Sequence, residues 1–169
     1  MINDVSVSEK MSAASSQKFA KNNFKNIFAQ DEFTIDNINL RSLWPAGNLF
    51  NENPSDLNDL STILLVSYGD FDTLLLGDAG VGVQSRINLV ELAGLVHGRL
   101  DVLKVSHHGS VTGLNKELIA ALQPINCVIS VGKNNSYGLP DPEVTDFLEK
   151  KQCKVYRTDL DGTIEFVVK

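Results

Sequence analysis

Five short apolar runs, each closed by a turn or a polar loop, constrain this chain most: "TILLV" from Thr62, "TLLLG" from Thr73, "LDVLKV" from Leu100, "INCVISV" from Ile125 and "CKVY" from Cys153. The first two flank a "YGD" turn and read as a hairpin of buried strands. Helical segments separate the rest: "VQSRINLVELAGLVHG", "LNKELIAALQP" and "DPEVTDFLEKK". Gly98 is the C-terminal stop of the first, Pro124 closes the second, and Asp141 with Pro142 opens the third. Strand and helix therefore alternate, which predicts an α/β layer with helices packed on a mostly buried sheet. "TIEFVV", after a "DLDG" turn, is predicted as a last strand.

The earlier part is less regular. Ser8 to Ala29 reads as an amphipathic helix, with Phe24 and Phe28 four residues apart. "FTIDNINLRSLWP" alternates apolar and polar residues and predicts a strand or hairpin turning at "IDNIN", with Trp44 in the core and Pro45 as its end. "AGNLFNENPSDLND" is loop chemistry. With 169 residues, 43% hydrophobic, we read one domain. Residues 1–57 hold the helix, strand and loop, and residues 58–169 hold the motifs.

A formal net charge of −6 gives no broad attraction for nucleic acid or anionic membrane. A phosphate ligand would need local donors or metal. Cys127 and Cys153 each lie in an apolar run and read as small buried hydrophobes rather than as a disulfide or metal pair. No apolar run approaches a membrane span of about 18 residues. The N-terminal segment lacks a signal-peptide core, so the default location is the cytoplasm.

Three strand-exit loops carry side chains suited to chemistry, and in open α/β sheets such loops are where ligands bind. "GDAG" holds Asp78, a turn former or a hard oxygen ligand for metal. "SHHGS" holds His107, His108 and Ser110. Imidazole is a common zinc ligand, although an exposed polar loop would have the same composition. "GKNNSYG" holds Lys133, Asn134, Asn135 and Tyr137, which are phosphate or oxygen donors or simply turn residues. His97, the remaining histidine, falls at a predicted helix end, where the dipole favours a cation.

"LLLGDAG", "LDVLKVSHHGS", "PINCVISVGKNNSYGLPDPEV" and "CKVYRTDLDGTIEF", in that order and spacing, resemble the metallo-β-lactamase-like domain of bacterial DNA-internalisation competence proteins. The similarity runs from about Asn58 to Phe166. It implies an αββα metallo-hydrolase sandwich present as roughly its second half, one or two zinc ions with manganese as the alternative, and a phosphodiester, DNA, as substrate. It maps metal ligands onto Asp78 and His108, with His107 as a neighbouring or alternative ligand. Ser110, Lys133 and Asn134 become substrate-binding candidates by their loop positions. The superfamily's His-x-His-x-Asp-His motif, or its His-x-Asp-x-Asp-His variant, is absent, and no histidine precedes His97. The resemblance thus implies that the chain enters the domain after that motif. Leu139 stands where the family often has histidine, with Asp141 two residues on. Catalytic zinc generally takes about three protein ligands, so two or three here imply an incomplete site. Two readings follow: a hydrolase completed by an N-terminal half-domain chain or by self-association, or a non-catalytic remnant acting as a binding module. Attachment to a membrane competence protein would place it outside the cytoplasm.

Overall fold

Two antiparallel hairpins start the sheet. In the computed structural model, which describes residues 27–47 and 56–168, β1 (Glu32–Ile35) pairs with β2 (Ile38–Trp44), and β3 (Ile63–Tyr68) pairs with β4 (Phe71–Leu75). Their turns fall where short polar residues tolerate left-handed backbone: Asp36 has φ 53° and Gly69 has φ 57°. β2 also joins β3 antiparallel, with a register shift between Ser42 and Trp44. β5 (Val102–Lys104), β6 (Asn126–Ile129) and β7 (Lys154–Arg157) then add in parallel to β4. Sheet order follows chain order through all seven strands.

Parallel strands that advance in one direction through right-handed crossovers keep their helices on one face. The connecting helices are α1 (Val81–Gln84), α2 (Leu89–Leu95), α3 (Lys116–Leu122) and α4 (Pro142–Lys150), and α5 (Thr158–Asp161) follows β7. Leu92, Leu118, Ile119, Leu122, Val144 and Leu148 from the helices share one core with Leu65, Leu74, Leu103, Cys127 and Ile129 from the strands. The opposite face carries Leu64, Leu75, Lys104, Val128 and Tyr156, which are in register across five strands. None of these five joins the core cluster. The architecture is α/β, one sheet with one helical layer, as half of an αββα sandwich requires.

Several sequence expectations need correction. Cys127 and Cys153 are buried as expected, but they form a disulfide with Cα atoms 5.9 Å apart. Cys127 faces Val155 across the β6–β7 pair, so Cys153, two residues before Val155, falls beside it once the strands join. The single helix predicted up to Gly98 is two. Asn88 breaks it, because its side chain accepts from the Val90 and Glu91 amides and starts α2 afresh. "DLDG" is not a simple turn. Arg157 binds the Asp159 carboxylate through Nε at 3.1 Å and Nη2 at 2.7 Å, and Asp161 accepts from the Arg157 amide, winding α5. "TIEFVV" is no strand. Ile164 and Phe166 are half-buried, and Phe166 sets its ring edge-on to Tyr156 at 5.9 Å. The alternating pattern is there, but among the described residues no neighbouring strand pairs with it. Of the helix predicted over 8–29, residues 8–26 lie outside the described residues and 27–29 are not helical. Trp44 is buried, as expected, with Nε1 donating to the Asp59 carbonyl.

Candidate functional site

The end of β4 and the end of β5 are pinned to each other before any functional side chain is placed. After β4 the chain turns at Gly77 (φ 55°), where an added Cβ would meet Ser61 Cβ at 3.0 Å. The Asp78 amide donates to Ser61 Oγ at 3.1 Å. The Gly77 carbonyl accepts twice, from the His107 amide at 3.1 Å and from Lys104 Nζ at 3.3 Å. Ser106, fully buried, donates from Oγ to the Ala79 carbonyl at 2.6 Å. The "GDAG" and "SHHGS" loops are therefore one unit.

The histidine loop is strained. His107 (φ 47°), His108 (φ 54°) and Gly109 (φ 84°) are consecutive left-handed residues, a conformation unfavourable for side chains bearing Cβ. Such strain persists only where surrounding structure over-determines it, and it clusters at functional sites. Here Asp141 secures the far side: its amide donates to the Gly109 carbonyl at 2.9 Å and its carboxylate accepts from the Val111 amide at 2.7 Å. Asp141 occupies the N-cap position of α4 as the sequence suggests, yet its side chain makes no cap bond.

The strain turns His108 towards Asp78. His108 Nδ1 lies 2.6 Å from the Ser130 carbonyl, past the end of β6. A carbonyl only accepts, so Nδ1 carries the hydrogen, and neutral His108 presents its lone pair at Nε2. That Nε2 is 3.6 Å from Asp78 Oδ1. Two acceptors face each other there, an arrangement completed by a cation between them or by a proton on Nε2. Two donors each about 2.1 Å from one tetrahedral ion lie about 3.4 Å apart, close to the observed gap. The pair fits a metal in type, tautomer and spacing. It is short in number: among the described residues no group of three or more His, Cys, Asp or Glu side chains could hold an ion. His107 sits beside the pair, its ring centroid 6.4 Å from that of His108, and engages Thr112 Oγ1 at 3.2 Å.

The other candidates occupy the rim. Ser110 Oγ contacts Thr112 Oγ1 and accepts from the Thr112 amide. Lys133 and Asn134 are exposed in the loop after β6, Asn134 in left-handed backbone. Asn135 shapes that loop through bonds to Gly132 and to both backbone groups of Leu139. Sequence reasoning passed over Lys104 and the Ser130 carbonyl. A lysine inside the apolar run "LDVLKV" was the available signal for the first.

His97 belongs elsewhere, and the helix-dipole account of it fails because α2 ends at Leu95. Its Nδ1 lies 3.0 Å, and its amide 2.7 Å, from the fully buried Asp72 carboxylate, which Ser67 Oγ also meets at 2.5 Å. Asp72 is near the start of β4 and Asp78 beyond its end, so the two clusters occupy opposite rims. The hydrogen bond to Asp72, then its charge, raises the His97 pKa above 6.5, with Asp70 adding to the effect. A raised folded-state value stabilises below the unfolded value and is lost as pH rises through the folded one. The wild type should exceed His97→Gln in stability by more at pH 5.5 than at pH 8.5, as measured by urea unfolding. An equal gap at both pH values would show that the ion pair adds nothing.

No protein-family model matches the chain. It is 37% identical over 114 residues to ComE operon protein 3 of Bacillus subtilis, 30% over 107 residues to Recombination protein 2 of Haemophilus influenzae, and 32% over 113 residues to Competence protein ComA of Neisseria gonorrhoeae. These matches cover 63–67% of the chain, which spans 13–16% of the relatives' length. Among solved structures, a mutant CmlA β-hydroxylase (TM-score 0.50, 14% identity, 76% of this chain and 31% of that one) is similar in fold. So is a protein described as a metal-dependent hydrolase from Parabacteroides distasonis (TM-score 0.50, 14% identity, 88% of this chain and 63% of that one). Within the described residues no helix is long and apolar enough to cross a membrane. About two thirds of this chain is thus similar to one segment of these bacterial competence and recombination proteins, and its α/β sheet with one helical layer is similar in fold to a protein described as a metal-dependent hydrolase.

Proposed function

We propose that this chain is part of a metal-dependent hydrolase acting on phosphodiesters, DNA among them. Asp78 and His108 would hold a divalent ion, zinc or manganese, and His107 stands next to them as a further ligand or support. The observation that carries this reading is His108 Nε2 standing 3.6 Å from Asp78 Oδ1 while Nδ1 is engaged by the Ser130 carbonyl, in a loop held in left-handed backbone. A divalent ion bound there would supply electrophilic activation of the phosphodiester and of water. The chain's own residues do the rest. Ser130 fixes the His108 tautomer, Gly77 and Ser106 lock the two loops together, and Ser110, Lys133 and Asn134 would donate to substrate oxygens. The remaining ligands come from polypeptide outside the described residues. A second sheet packed on the face that bears Leu64, Leu75 and Val128 would bring them to this rim. The buried Cys127–Cys153 disulfide supports an oxidising location outside the cytoplasm.

The test is hydrolysis of bis-p-nitrophenyl phosphate with added manganese or zinc. The chain would be assayed alone and joined to the segments that flank the matching region in the Bacillus subtilis relative. Metal-dependent turnover should need the flanking segments and fall at least about 100-fold, as removal of metal-site groups does, in Asp78→Ala and in His108→Ala. Turnover indifferent to both substitutions, or no turnover in any folded assembly, would favour a non-catalytic binding module.

A further inference from the structure

Lys104 is the anomaly of the sheet. It occupies the middle of a register row whose other members are Leu64, Leu75, Val128 and Tyr156. It is half-buried, so its stem lies among apolar neighbours while its ammonium is left to find polar partners. Among the described residues no carboxylate pairs with it. Among the described residues it bonds to the Gly77 carbonyl at 3.3 Å, one residue from Asp78. That carbonyl also receives the His107 amide. The ammonium is thus tethered to the backbone that presents both Asp78 and the histidine loop. An ammonium has three donors, and the tether occupies one.

We infer that Lys104 binds the anionic oxygen of the substrate at the Asp78–His108 rim. The inference rests on the proposed function and deepens it, because it adds a charge contact from a residue inside the sheet to the donors of the exposed loops. A cation fixed in partly apolar surroundings attracts an anion more strongly than one in water, and the Gly77 bond restrains the lysine's otherwise flexible stem. The chemistry recognised is an oxyanion of phosphorus, from either a phosphodiester or free phosphate.

Amide chemical shifts of the folded chain, followed during titration with inorganic phosphate and separately with dimethyl phosphate, test this. Sodium chloride at matched ionic strength is the control. Both anions should move the Gly77, Asp78 and His107–Gly109 amides saturably. Response to phosphate alone would assign the site to free phosphate, and response to dimethyl phosphate would extend it to diesters. Lys104→Met should weaken binding about tenfold, and Lys104→Arg should hold it within about threefold. Lys104→Gln substitutes for the methionine variant should that one not fold. Equal affinity in the methionine or glutamine variant, or no saturable shift in wild type, overturns the inference. Manganese broadening of the Asp78 and His108 amides is read in the same samples. Broadening without a Lys104-dependent anion effect sinks this inference and leaves the proposed metal site standing. The converse sinks the metal site.

Discussion

Gly109→Ala is expected to lower the unfolding free energy by about 3 kcal/mol, the sum of about 1–2 for a side chain in left-handed backbone and about 1–3 for overpacking. Gly109 has φ 84°, and a Cβ built on it would lie 2.5 Å from Pro140 Cβ and 3.2 Å from Ile129 Cγ2. Neither neighbour can yield cheaply, since Pro140 is a rigid ring and Ile129 is fully buried in the core. The backbone would have to give, either at Pro140, whose Cα would lie 3.3 Å away, or at the adjoining His108. The melting temperature should fall by about 6–12 °C. The His108 Nδ1–Ser130 hydrogen bond should weaken with it, and its ring-nitrogen shifts would report that directly. A variant as stable as wild type would mean that the loop relaxes freely and that its strain is not imposed by packing.

Removing the Cys127–Cys153 disulfide should have a comparable effect. The bond closes a loop with a sequence separation of 26. The chain-entropy relation gives about 3.5 kcal/mol for a loop of that size. The loop contains α4, so the bond ties the last crossover to the sheet on which it packs. Dithiothreitol should lower the urea midpoint of wild type markedly and leave that of a Cys127→Ala, Cys153→Ala variant unmoved at its lower value. Identical midpoints with and without reductant in wild type would show that the two thiols are not joined.

What the sequence revealed followed the range of each interaction. The hairpins were legible because alternation and turn residues such as Asp36 and Gly69 act over a few positions. The start of α4 was legible from Asp141 and Pro142. Asp78 and His108 were legible because each closes an apolar run, and strand exits in an α/β layer gather at one rim. What pairs distant segments was not legible. The disulfide needs the β6–β7 register, and the place of Lys104 needs β4 beside β5. The Ser130 carbonyl leaves no trace in residue identity at all. His97 misled because its partner Asp72 precedes it by 25 positions on another element. The "TIEFVV" strand was wrongly expected from its local alternation, because a strand also needs a neighbour, and a local pattern does not say whether one is present.

The central claim is that His108 offers an unprotonated Nε2 to an ion shared with Asp78. The chain has only three histidines, so long-range ¹H–¹⁵N correlation of their ring nitrogens at pH 8, before and after zinc is added, reads the claim site by site. The account predicts the Nδ1–H tautomer for His108. It also predicts a zinc-induced shift at His108 Nε2 before any at His97, and a clear weakening of that shift in Asp78→Ala. The Nε2–H tautomer at His108, or zinc that moves His97 and leaves His108 in place, would contradict it.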